Sequence, residues 1–199
     1  PVPWVALAGL ETVLFGVGAI PIALAYRWTD RARGHAVVWF VGVPLLVAGL
    51  WSVRELVMGS WPYSGFPWAR IGMTQANGPL PEAASWVGVT GLGFLIVAAC
   101  ACLVQWWRAG GFRRMRGVLP AAMIVTALVL VPKFPTGDAG RMDIGWVQGN
   151  GPSGYFDDRT SGDVLAAQTA ATDPLLGEDM DLLVWPEGAV DSDPLTDPD

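Results

Sequence analysis

The sequence predicts a multi-pass α-helical membrane region followed by the start of an α/β domain, and three observations lead there. Long apolar runs, broken by short basic loops, fill the chain as far as Pro132. Charge then changes sign: residues 1–132 hold nine Arg and four Asp/Glu, while residues 133–199 hold three Lys/Arg and fourteen Asp/Glu. Finally, two short apolar stretches flank an Ala-rich segment in the acidic part, a strand–helix–strand pattern. The acidic second part argues against nucleic acid as partner, since phosphate binding needs clustered Lys and Arg.

The first predicted span, about residues 5–26, is apolar apart from Glu11 and Thr12 and is long enough for a hydrocarbon core of ~30 Å. Pro21 predicts a kink that neighbouring helices can absorb. Arg27, Arg31 and Arg33 make the next loop basic. The second span runs from about 36 to 57, with Arg54 and Glu55 near its end and His35 at its foot as an interface residue. Glu11 and Glu55 are ionisable groups in or near membrane spans and so are candidates for function. The alternative for Glu55 is a pairing with a neighbouring Arg.

Residues 58–82 form a loop rich in Gly, Pro and aromatic rings with little charge, a composition suited to the headgroup layer. The third span, about 83–107, carries Gly88, Gly91 and Gly93 as expected packing sites between helices. Cys100 and Cys102 lie two residues apart on diverging faces of that span, which makes them packing residues rather than a disulfide or metal pair. No metal constellation occurs in the sequence. Arg108, Arg113, Arg114 and Arg116 make the second basic loop, and a fourth span is expected over about 118–131. The intervening loop 53–82 balances two Arg with two Glu. The positive-inside rule therefore puts the basic loops in the cytoplasm, and the aromatic loop and everything after Pro132 outside.

In the acidic part, Met142–Gln148 reads as a strand closed by Gly149-Asn150-Gly151-Pro152. A helix is expected from near Thr160 or Ser161, either of which is a suitable N-cap, to Ala171. Leu182–Trp185 reads as a buried strand ended by Pro186, which has no N–H for the ladder. Glu187 follows at the carboxyl edge, where open α/β sheets place their sites, and Gly188 lets the chain turn away. A carboxylate fixed there beside Trp185, partly shielded from water, meets the conditions for a general base. A solvated strand-end carboxylate is the plain alternative.

Three stretches resemble one family. Gly65-Phe66-Pro67-Trp68, with Gly72, Gln75 and Gly78-Pro79-Leu80, is similar to the loop between two membrane helices of bacterial apolipoprotein N-acyltransferases. Trp146-Val147-Gln148-Gly149-Asn150 resembles the first strand of the nitrilase-type domain of that family, and Val184-Trp185-Pro186-Glu187 the strand end that carries its catalytic glutamate. The resemblance implies division into a membrane region, 1–132, and the N-terminal part of an extracytoplasmic nitrilase-like αββα domain, 133–199. It implies a Glu–Lys–Cys triad of which only Glu187 is present, with the Lys and Cys beyond Asp199. The chain, opening at Pro1 without a signal-peptide pattern, is therefore expected to be an internal fragment, inactive by itself.

The implied reaction, in the bacterial cytoplasmic membrane, transfers a fatty acyl chain from a phospholipid to the α-amine of the diacylglyceryl-Cys of an apolipoprotein, through a thioester and without a cofactor. Phe66, Pro67, Trp68 and Gln75 are the candidate substrate contacts, or else an interfacial anchor. Two other readings compete: a membrane-tethered nitrilase-like amidase, and a transporter or scaffold with an outer binding domain. The apolar loop favours the transferase, because a thioester must be kept from water.

Overall fold

The computed structural model describes residues 2–32, 34–61, 65–152, 154, 156–158 and 160–193. They fall into two compact units, Pro1–Pro135 and Thr136–Asp199.

The first unit is a bundle of α1 (Val2–Thr29), α2 (Val43–Met58, entered through a π-helical turn at Val38–Gly42), α3 (Pro81–Arg108) and α4 (Leu119–Leu130). Three helical stretches, Val2–Thr29, Val38–Met58 and Pro81–Arg108, are long and apolar enough to cross a membrane. The most apolar window of α1 has none of its residues buried inside the protein. Val13, Val17 and Ile20 are each more than half exposed, a surface suited to lipid and not to water. Hydroxyls within α1 are satisfied locally, Thr12 Oγ1 donating to the Ala8 carbonyl at 2.7 Å. The helix α4 forms where expected, but its 12 residues rise only about 18 Å at 1.5 Å per residue.

The bundle core is small-residue packing between α2 and α3: Val43, Val47 and Ala48 against Val97, Ala98 and Ala101, with Ile22 and Tyr26 of α1 beside them. Ala48 and Ala98 are fully buried, so alanines do much of the close packing that the glycines were expected to do. Gly93 is buried beside the Gly72 amide, but a Cβ there would make only ordinary contacts, at 3.4 Å to that amide and 3.6 Å to Glu55. Gly88 is not a packing site: its φ of 71° and ψ of 170° interrupt α3, a conformation costly for any residue with a Cβ. Cys102 is buried and Cys100 exposed, both free thiols. Gln105, fully buried, donates to the Trp39 carbonyl at 3.1 Å and accepts from Arg108 at 3.0 Å. Arg108 in turn holds Asp30 at 2.6 Å, tying the two basic loops together.

The second unit contains β1 (Ile144–Trp146), α5 (Asp163–Thr172) and β2 (Leu182–Val184). The strands pair in parallel, Ile144 with Leu182, Gly145 with Leu183 and Trp146 with Val184. This is the β-α-β connection that a parallel pair requires. The expected burial of β2 is only half realised. Leu183 is half-buried, while Leu182 and Val184, like Ile144 and Trp146, are exposed. Side chains alternate across a sheet, and one helix covers one face. The cap of α5 also differs from expectation. Gly162, at φ 94°, precedes the first turn and neither Thr160 nor Ser161 caps it. The Asp191 carboxylate does so instead, accepting from the Val164 and Leu165 amides at 3.2 and 3.1 Å.

Candidate functional site

Glu187 lies at the carboxyl end of the parallel pair, in the turn Pro186–Ala189, which closes with the Ala189 amide donating to the Pro186 carbonyl at 3.2 Å. Gly188 at the third position has φ 74°, the left-handed value that a type II turn requires there. The sequence Pro-Glu-Gly thus places Glu187 at the outer corner of the turn. Around it is a cleft of about 110 Å³. Gln148, Asn150 and Gly151 from the β1 exit form one wall, Pro186–Ala189 the other, and Val164 and Gln168 of α5 the floor. This is the crevice outside the strand carboxyl ends where α/β sheets place ligands.

The floor is fixed by one residue the sequence did not single out. Gln168, 2% exposed, donates from Nε2 to the Val147 carbonyl at 2.8 Å and accepts the Gly149 amide at 2.7 Å. It joins α5 to the end of β1 by one buried and one part-buried bond. Gly149 is required because a Cβ there would meet the Gln168 backbone nitrogen at 2.7 Å. Asn150 takes φ 51°, a value Asn tolerates better than most residues. The only prior signal for Gln168 was a lone amide within an Ala-rich helix.

Trp185 does not shield the carboxylate. Its indole Nε1 donates to Thr172 Oγ1 at 3.0 Å, which turns the ring toward α5 and leaves Glu187 exposed. Among the described residues no side chain hydrogen-bonds to Glu187, and none forms a metal-binding group of His, Cys, Asp and Glu. Asp191, under α5, is held below the usual carboxylate range. Partial desolvation pushes its carboxyl up, but the backbone amides of Val164 and Leu165, its own amide and that of Gly162 together outweigh it.

In the membrane unit the aromatic loop is fastened to α2. Phe66 N–H donates to the Met58 carbonyl at 2.6 Å. Gly65, at φ 85°, sits where a Cβ would collide with the Gly59 backbone. Pro67 opens the 3₁₀ turn Pro67–Ala69. The rings of Phe66 and Trp68 meet edge to face with centroids 5.8 Å apart. Phe66 is half-buried, whereas Trp68 is 72% exposed. Gln75 is engaged in its own turn, donating to Thr74 Oγ1 at 3.1 Å and lying against Gly78.

Beneath the loop, Glu55 and Arg54 are both 6% exposed. Glu55 Oε1 accepts from Trp51 Nε1 at 2.9 Å and from the Ile71 amide at 3.0 Å. The pairing expected for Glu55 is present, at 4.0 Å to Arg54. The Arg54 guanidinium lies between the faces of Phe15, 3.8 Å away, and Trp51, 4.0 Å away. Glu11 lies on α1 with both carboxylate oxygens buried and without a hydrogen-bond partner.

Apolar membrane-length helices with an aromatic loop between two of them, joined in one chain to a small parallel β-α-β unit with a carboxylate at its tip, define a membrane protein with a second, α/β unit. A family model described as the apolipoprotein N-acyltransferase N-terminal domain matches residues 1–102, and the chain belongs to that family. It is 29% identical to an apolipoprotein N-acyltransferase of Shewanella oneidensis over 94% of this chain and 35% of the relative. It is 31% identical to one from Azotobacter vinelandii over 92% of this chain and 36% of the relative. A shorter match to one from Verminephrobacter eiseniae reaches 41% identity over 34% of the chain. The chain thus spans about a third of the length of the relatives it matches along most of its own length.

Proposed function

We propose that this chain belongs to an enzyme that acylates lipoproteins, moving a fatty acyl chain from a membrane phospholipid to the α-amine of a diacylglyceryl-Cys. The acidic unit is then the beginning of a nitrilase-like domain outside the cytoplasmic membrane, reached through a fourth crossing in which the residues flanking α4 make up the length that its 12 residues lack. The observation that carries the reading is Glu187. In a chain of this family it is the carboxylate presented at the carboxyl edge of a parallel strand pair, beside a cleft.

Glu187 acts as general base toward a Cys thiol that the family resemblance places beyond Asp199. The carboxylate takes the thiol proton and the thiolate attacks the phospholipid ester carbonyl. The proton returns to the lysophospholipid oxygen as its bond to the acyl carbon breaks, leaving a thioester. The acceptor amine then attacks the thioester, loses a proton to Glu187 and leaves as the amide, while the sulfur regains the proton. A Lys from the same downstream region completes the triad.

Glu187→Gln in the full-length protein keeps the shape and removes the base. With phospholipid alone, acyl-enzyme formation is expected to slow by on the order of 10²–10⁴. Thioester accumulation at the wild-type rate would reduce Glu187 to a strand-end carboxylate.

A further inference from the structure

A second cavity lies at the opposite end of α2 from the aromatic loop, and nothing in the acyl-transfer reading uses it. Its volume is about 680 Å³, within the 300–1,000 Å³ range typical of ligand pockets. One wall is the entry to α2, with Ala36, Val37, Phe40 and Val41; the other is the turn Gly111–Val118 and the start of α4. The floor is set by Gly117, which is buried and where a Cβ would meet the Phe40 ring at 2.9 Å. Three arginines, Arg113, Arg114 and Arg116, line the same cavity.

These arginines differ from the fourth in the loop. Arg108 is bound to Asp30 and Gln105. Among the described residues, Arg113, Arg114 and Arg116 have no ion-pair or side-chain hydrogen-bond partner, and no acidic residue lines the cavity. Val37 is 75% exposed, so the walls offer apolar surface next to unpaired guanidinium groups. The cavity also sits where the helical stretches leading into α2 and α4 begin, next to the basic turn Gly111–Val118.

We propose that this cavity is a binding site for an anionic phospholipid, separate from the acyl donor. The phosphodiester lies on Arg113, Arg114 and Arg116 while the upper acyl chain rests against Val37, Phe40 and Val41. Clustered guanidinium groups bind the phosphate and favour a headgroup with net negative charge over a zwitterionic one, whose ammonium group they repel. The apolar wall selects a lipid over free phosphate. The site depends on the membrane reading of the helices and not on acyl transfer, so it stands or falls independently of Glu187.

The test uses the full-length protein, delipidated in mild detergent and titrated with phosphatidylglycerol, phosphatidylcholine or inorganic phosphate, with bound species counted by native mass spectrometry. Phosphatidylglycerol is expected to bind on the order of tenfold more tightly than phosphatidylcholine, with phosphate failing to compete. The triple variant Arg113→Gln, Arg114→Gln, Arg116→Gln should bring the two lipids to parity. Val41→Trp, which keeps every charge and intrudes on the apolar wall where the acyl chain rests, should also remove the preference. Equal binding of both lipids by the wild type would overturn the site, as would a preference that survives the triple variant. A preference surviving Val41→Trp would mean diffuse attraction to a basic loop, and competition by phosphate an anion pocket without a lipid.

Discussion

The Ile71 amide donates to Glu55 Oε1 at 3.0 Å, so a buried carboxylate on α2 holds the end of the aromatic loop that follows Trp68. The same oxygen accepts the Trp51 indole N–H, and the Arg54 charge lies 4.0 Å away. Glu55 therefore fixes the loop and balances a buried cation in one step. Glu55→Ala should destabilise the full-length protein by about 3–5 kcal/mol, because Arg54 is left buried and uncompensated. Glu55→Gln, which can still accept from Ile71, should keep loop 65–75 resistant to protease while lowering the melting temperature in detergent. Equal protease sensitivity of the Ala and Gln variants would show that the Ile71 bond does not hold the loop.

The two rings of the loop should separate in their effects. Trp68 is 72% exposed, so Trp68→Ala is expected to change folding stability by only about 0.5 kcal/mol or less while raising KM for the phospholipid. Phe66→Ala removes a half-buried ring and should lower both stability and activity. Thermal melts paired with steady-state kinetics distinguish the two. A Trp68→Ala enzyme with unchanged KM would make that ring a membrane anchor only.

Topology is checked by an impermeant thiol reagent on intact cells. Single cysteines at Met115 and Asp138, in a background without the native ones, probe the two sides of α4. Asp138→Cys should be labelled and Met115→Cys protected until the cells are opened, if the basic loops follow the positive-inside rule. The reverse pattern would invert the arrangement, and labelling of both would place α4 on one side of the membrane.

Asp191 makes the first turn of α5 acid-sensitive. Its carboxyl is held below the usual range in the folded state, so its contribution is fully present above the unfolded value of about 3.9. That contribution is lost as pH falls through the lower folded value. Hydrogen exchange at the Val164 and Leu165 amides, taken relative to its intrinsic rate, should therefore stay slow at neutral pH and become fast only below the unfolded value. Asp191→Ala should show the fast exchange at every pH. Protection of both amides in that variant would mean that another group caps the helix.

Gly149→Ala tests the floor of the Glu187 cleft. A methyl group there meets the Gln168 backbone, and a forced shift in such a contact costs about 1–3 kcal/mol. The variant should loosen α5 from β1 and widen the cleft, seen as faster exchange of the Gly149 and Gln168 amides. Unchanged exchange would show that the helix moves aside without strain.

What the sequence by itself determined were the features with a local cause. Apolar length set the helices, Pro186 and Gly188 set the turn at Glu187, and the parallel strand–helix–strand order followed from the alternation of apolar stretches. Gly65 and Gly149 could be located as loop glycines, but only the packed chain explains them, through the Gly59 backbone and the Gln168 backbone they approach. The same holds for the cap of α5, where suitable local residues at Thr160 and Ser161 lost to Asp191, 27 residues beyond Val164. The clasp of Gln168 on Val147 and Gly149, the seat of Arg54 between Phe15 and Trp51, and the turn of Trp185 toward Thr172 are likewise tertiary. Buried hydrogen-bonding groups must find partners wherever the fold brings them, and those partners have no fixed spacing along the chain.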